Sequence, residues 1–250
     1  MLIPTLAALA PALLLLFYIY HKDFNPEPKR LVVKGFFFGA IATFVSTLIS
    51  GPLMRAGFFS LEPQGIWECV KVSFLGAAIP EECAKLLMLW LLLRNCAEFD
   101  ERFDGIVYAA AIGLGFAAFE NVQYVIAAGA DWFTVSVSRA LLAVPGHFAF
   151  AVVMGYYYSL QHFYGASAPA GTKAKILLYP ILLHGIYDSI AFISNLNPIF
   201  SGIGTLVLLY FCYRLFKATR QRIQNVAADS DLRARIMADA APWDDTPDEQ

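Results

Sequence analysis

"IPEECAKL", residues 79–86, sets two adjacent glutamates and a lysine inside a stretch that otherwise reads as a membrane span. Residues 72–80 and 86–93 on either side carry no charge. A charge at mid-membrane costs roughly 2.5 to 3.5 kcal/mol on insertion scales, so such groups face a bundle interior or a water-filled cavity. The stretch therefore demands a bundle of helices around it, and the rest of the chain is read for those helices.

Composition agrees. The 250 residues are 58% hydrophobic and 15% charged, with mean hydropathy +0.58, where soluble domains carry about 25% charged residues. The fold class is all-α, a polytopic membrane helix bundle. No basic run points to nucleic acid as a partner, and the partner that composition requires is the lipid bilayer. Cys69, Cys83, Cys96 and Cys212 are scattered without a CxxC pair and read as small apolar packing residues. The run 2–20 lacks a basic leader and an A-x-A-like exit, so it reads as a retained helix.

A span needs about 20 apolar residues. Seven segments fit: 2–20, 32–50, 69–93, 105–128, 136–159, 175–193 and 197–216. Lys22, Lys29 and Arg30 follow the first, Arg94 and Arg102 the third, Lys173 and Lys175 the fifth, and Arg214, Lys217, Arg220 and Arg222 the seventh. The alternate connections hold almost none beyond Arg55, so the positive-inside rule places the N-terminus outside and the C-terminus in the cytoplasm. Residues 1–217 form the transmembrane bundle, and 218–250, ending in "APWDDTPDEQ", read as a disordered acidic cytoplasmic tail.

Polar groups on four spans fall at one depth. Glu81 and Glu82 lie about a dozen residues, roughly 18 Å, into the third span from its outer end. Counted from the outer ends of their spans, Glu120 is about eight residues in, His147 about eleven and His184 about nine. Lys85 shares a helix face with Glu81 and nearly with Glu82, so it can neutralise one carboxylate. Asp188, four after His184, can hold that imidazole in one tautomer. Pro80, Pro145 and Pro180 each stand just before one of these groups and predict broken or kinked helices, with Glu81 and Glu82 in the first turn of a half-helix. One intramembrane His, or one Glu-Lys pair, is ordinary packing material. Two carboxylates and two histidines at one level are not.

Glutamate plus two histidines from separate helices is the ligand set of a His2Glu zinc site, with Glu82, His147 and His184 as the ligands and the neighbouring glutamate as general base. Without metal, one glutamate can activate water while a histidine stabilises the oxyanion. The HExxH helix of soluble zinc proteases is absent, so both routes stay open. Two rival classes use part of the same evidence. A proton- or ion-coupled transporter also places Glu, Lys and His near broken helices, but no inverted repeat is visible. A bis-His haem protein would use His147 and His184 and leave the glutamates and lysine unexplained.

Four motifs on successive spans resemble the PrsW-type intramembrane proteases, distant relatives of the CAAX prenyl endopeptidases. They are "PEECAKL" (80–86), "FDGIVYAAAIGLGFAAFENVQY" (103–124, with Glu120 and Asn121), "RALLAVPGHFAFAVVMG" (139–155, with His147) and "LHGIYDS" (183–189, with His184 and Asp188). The resemblance covers about 70–190. It implies a membrane-embedded protease, with or without zinc, in the bacterial cytoplasmic membrane. It implies Glu81, Glu82, His147 and His184 as the catalytic set, supported by Lys85, Glu120, Asn121 and Asp188. It further implies a single-span membrane protein as substrate, such as an anti-sigma factor cut on its outer side.

Overall fold

The computed structural model describes residues 2–239, with side chains to residue 232. Among these it is wholly helical. The long elements are α1 (Leu2–Tyr20), α2 (Lys29–Arg55), α3 (Ile66–Lys71), α4 (Ile79–Leu93), α5 (Asp104–Ala127), α6 (Trp132–Leu141), α7 (Ala143–Tyr164), α8 (Thr172–Ser194) and α9 (Pro198–Asp239). Six helical stretches are individually long and apolar enough to cross a membrane. The seventh expected span, 69–93, is present as a rod that changes helix type twice: α3 passes through a π-helical stretch, Val72–Ala78, into α4. None of its parts reaches span length alone.

The bundle is built around α5. Between Asp104 and Glu120 this helix is apolar on all faces, and 83% of its most apolar 18 residues are buried, the pattern of a central rather than a lipid-facing helix. Its small residues let neighbours close in without any hydrophobic force from the lipid. A Cβ on Gly115 would run into the Phe36 backbone of α2, and one on Gly39 of α2 into the Ile112 carbonyl. On the other side, a Cβ on Gly155 of α7 would meet the Gly105 carbonyl of α5. Lipid instead meets α1, α2 and α9, whose large apolar side chains such as Leu14, Leu48 and Leu206 are about 70% exposed.

One sequence expectation changes. The helix expected to end near residue 216 continues to Asp239, so residues 218–239 are helical and not a disordered tail; 240–250 lie outside the described residues. The extension is held by packing: Ile223, Val226 and Ala227 are buried in the cluster that contains Ile19 and Phe103, and Arg102 pairs with Asp229 at 2.9 Å. Pro180, read as a break or a kink, lies inside an α8 that runs without a break from Thr172 to Ser194.

The connection after α1 turns back against the start of α5. Asp23 there is buried, and burial, followed by the charges of Glu101 and Glu27, pushes its carboxyl up to about 7 against one opposing N–H from Asn25.

Candidate active site

The π-to-α change places the first carboxylates. Widening the helix over Val72–Ala78 accommodates the donor that Pro80 lacks, and Pro80 then sits in the first turn of α4 with Glu81 and Glu82 beside it. Glu82 points inward and is fully buried, whereas Glu81 keeps 12% of its side chain exposed. Lys85, one turn on, is 2% exposed and bridges both: its Nζ is 2.8 Å from Glu82 Oε1 and 3.5 Å from Glu81 Oε2. The ammonium also lies 4.1 Å from the centre of the Phe116 ring.

The two histidines arrive from α7 and α8. His184 Nδ1 donates to Glu82 Oε1 at 2.8 Å, which directs its Nε2 towards Glu81 (3.9 Å) and Asp188 (3.3 Å). Phe150 stacks on this ring with centroids 5.0 Å apart. His147 Nδ1 lies 3.0 Å from Lys85 Nζ, and its Nε2 3.0 Å from Glu120 Oε2. An ammonium has only donors, so Nδ1 accepts and Nε2–H donates to Glu120. The rings meet edge to face with centroids 5.1 Å apart, each fixed by a side chain of α4.

A third layer comes from α5 and α6. Arg139 Nη2 donates to Glu120 Oε2 at 2.6 Å, its Nε donates to Asn121 Oδ1 at 2.8 Å, and its guanidinium covers the Tyr124 ring at 4.0 Å. Asn121 in turn donates from Nδ2 to the Ala8 carbonyl at 2.7 Å, which ties this layer to α1. Around these groups lies a cavity of about 540 Å³, lined by Glu81, Glu120, Arg139, His147, His184 and Asp188 among others and, from α9, by Thr205 and Leu208.

The structure thus brings Glu81, Glu82, Lys85, Glu120, His147, His184 and Asp188 together, while Asn121 faces away from the cavity as a bracket for Arg139. The carboxylate that holds His184 through Nδ1 is Glu82, with Asp188 beside the other nitrogen. Sequence reasoning did not single out Arg139. Its signal was a lone arginine near the end of a span, which also fits an interfacial anchor; only the break at Leu142, which ends α6 and begins α7, turns it towards Glu120.

A metal would suit this donor set. Glu81, His147 and His184 each offer one ligand atom, all within 4.8 Å of one another. His184 is arranged for it, since Glu82 holds Nδ1 and leaves Nε2 to the cavity. His147 would have to exchange its Nε2–H···Glu120 bond for the ion. Glu82 Oε2 is buried without a hydrogen-bond partner, so this second carboxylate also retains an uncommitted oxygen.

Comparison with known proteins gives one consistent result. Residues 27–216 match the family described as PrsW family intramembrane metalloprotease. The chain is 35% identical over 222 residues to Protease PrsW of Bacillus subtilis, covering 88% of this chain and 96% of that one. It is 33% identical over 215 residues to Protease PrsW of Geobacillus kaustophilus, covering 86% and 91%. It is 35% identical over 208 residues to Protease PrsW of Clostridioides difficile, covering 82% and 86%. No solved structure matches.

Proposed function

The chain belongs to the PrsW family and is a membrane-embedded protease of the bacterial membrane, and from that premise we propose that it cuts a single-span membrane protein, anti-sigma-factor-like, near its outer side, with Glu81, His147 and His184 as the catalytic set and Glu82 as the residue that positions them. The observation that carries this reading is the convergence of Glu81, His147 and His184 within 4.8 Å at a cavity reached by a partly exposed carboxylate.

Glu81 is the general base. It has cavity exposure that Glu82 lacks, and its Oε2 stands 3.9 Å from His184 Nε2, so a water seated between them is held at both ends. Glu81 takes the proton as the water oxygen attacks the scissile carbonyl. Arg139 lines the same cavity, and the guanidinium N–H groups it does not give to Glu120 and Asn121 are the donors for the oxyanion that forms. The proton held by Glu81 then passes to the amide nitrogen as the C–N bond breaks. Glu82 touches no substrate in this scheme, because it is fully buried, but it fixes the His184 ring and anchors Lys85.

In the alternative route through a metal, Glu81 with His147 and His184 would hold a zinc ion, Glu81 then serving as ligand and not as base, where the sequence reading has Glu82 as the carboxylate ligand. When bound, zinc would lower the pKa of its water and polarise the carbonyl.

Purified protein is assayed on a membrane-inserted peptide that contains a candidate's outer juxtamembrane segment. Glu81→Gln and His184→Ala are expected to lower kcat by about 10²- to 10⁴-fold. Wild-type-like cleavage by both variants overturns the site assignment. The metal is read in the same preparation: elemental analysis of wild type, Glu81→Gln and Glu82→Gln identifies which carboxylate holds zinc. Full activity after chelation, with no zinc found, assigns the direct glutamate route.

A further inference from the structure

The far end of α5 carries a second group of acids. Asp104 is the first residue of this helix and Glu120 lies sixteen positions on, so the two are about 24 Å apart along the axis. Asp104 is fully buried, as Asp23 and Glu27 of the α1–α2 connection nearly are, at 8% and 4% exposed. Glu101, in the turn before α5, completes the group. Asp23, Glu101 and Asp104 each bring a carboxylate oxygen within 4.8 Å of the others.

Their hydrogen bonds can be followed atom by atom. Asp104 Oδ2 accepts from the backbone N–H groups of Asp100 at 2.9 Å and Glu101 at 2.7 Å. Asp23 Oδ1 accepts from Asn25 N–H at 3.1 Å, and Glu27 accepts from the Tyr108 hydroxyl. That leaves Asp23 Oδ2, Glu101 Oε1 and Asp104 Oδ1, all buried and all without a partner. Among the described residues no ion pair joins any of these acids to a lysine or arginine. The nearest arginines in sequence are engaged elsewhere, Arg30 with Glu98 at 2.7 Å and Arg102 with Asp229 at 2.9 Å.

Orphaned carboxylate oxygens are costly one at a time, and three from two segments of the chain facing one another are costlier still. One cation satisfies all three. The donors are oxygen only, with no nitrogen or sulfur in the group, which selects a hard ion over zinc or copper. We propose that Asp23, Glu101 and Asp104 form a binding site for a hard divalent cation, magnesium or calcium, that ties the α1–α2 connection and the turn before α5 to the head of the central helix. The ion holds in place the helix whose other end supplies Glu120 and Asn121.

The test uses the full chain, purified in detergent and stripped with chelator, and follows thermal unfolding while MgCl₂ or CaCl₂ is added to millimolar levels. A saturating ion is expected to raise Tm by about 3 °C or more. The rise is expected to persist in His184→Ala, which separates this site from the cavity at the other end of the bundle. The double variant Asp23→Asn with Glu101→Gln is expected to lose the rise while its ion-free Tm is no lower than that of wild type, because it removes uncompensated charge. Absence of a rise in wild type with either salt, survival of the rise in the double variant, or its loss in His184→Ala each overturns the proposal.

Discussion

Lys85 is 2% exposed and lies within 3.5 Å of Glu81, Glu82 and His147, so three functional groups depend on one buried charge. Removing one partner of a buried pair leaves the other charged and unsolvated, which costs about 3–5 kcal/mol. Lys85→Met, which keeps the side-chain volume, is therefore expected to lower the detergent unfolding midpoint sharply, and Glu82→Gln in the same chain to restore part of the loss. Equal unfolding of Lys85→Met and wild type would remove this account of the pair. Arg139 acts one step further out: it touches Glu120 and Asn121 and shares Glu120 Oε2 with His147. Arg139→Gln is expected to reduce cleavage about 10- to 100-fold, the range seen when an outer hydrogen-bonding partner is lost. Arg139→Lys should recover little of it, since a lysine cannot reproduce the fork onto Glu120 and Asn121.

At the level of elements, two breaks in regular helix build the site. Arg139 and His147 are eight residues apart, about 12 Å along a continuous helix, yet both reach Glu120 Oε2, at 2.6 and 3.0 Å. The turn at Leu142 between α6 and α7 makes this possible. The π-helical stretch before α4 does the same for Glu81 and Glu82. These positions were legible from Pro80 and Pro145; the helix type and the partner of each group were not, because proline reports a missing donor and says nothing of what faces it. The contact of α2 with α5 depends on glycine, and Gly115→Leu would drive a side chain into the Phe36 backbone. It is expected to destabilise the bundle by about 3 kcal/mol or more, read as a lower unfolding midpoint and loss of folded protein on size exclusion. A wild-type midpoint would mean that the helices separate at no cost.

Over the whole molecule, α9 links the two ends. Its 42 residues extend about 63 Å, roughly twice the hydrocarbon thickness. The first part lines the cavity with Thr205 and Leu208, and the later part packs Ile223 and Val226 under the opposite end. Ending the chain at residue 218 is expected to lower Tm by roughly 5 °C or more, because buried apolar side chains and the Arg102–Asp229 pair are lost. A disordered tail could be removed with no change in Tm, so the same measurement separates the two descriptions.

The amino-acid sequence by itself determined that this chain is a membrane helix bundle, where most spans lie, and that Glu81, Glu82, Glu120, His147 and His184 share one depth. Those properties follow from hydropathy and from the fixed rise of a helix, which act along the chain. Tertiary structure decided which carboxylate holds which imidazole, that Arg139 joins Glu120, that Asp23 and Glu101 meet Asp104, and that residues 218–239 stay helical. Those outcomes depend on the rotation of each helix about its axis and on where its neighbours lie. Periodicity leaves both free when, as over residues 105–119 of α5, every face of a helix is apolar.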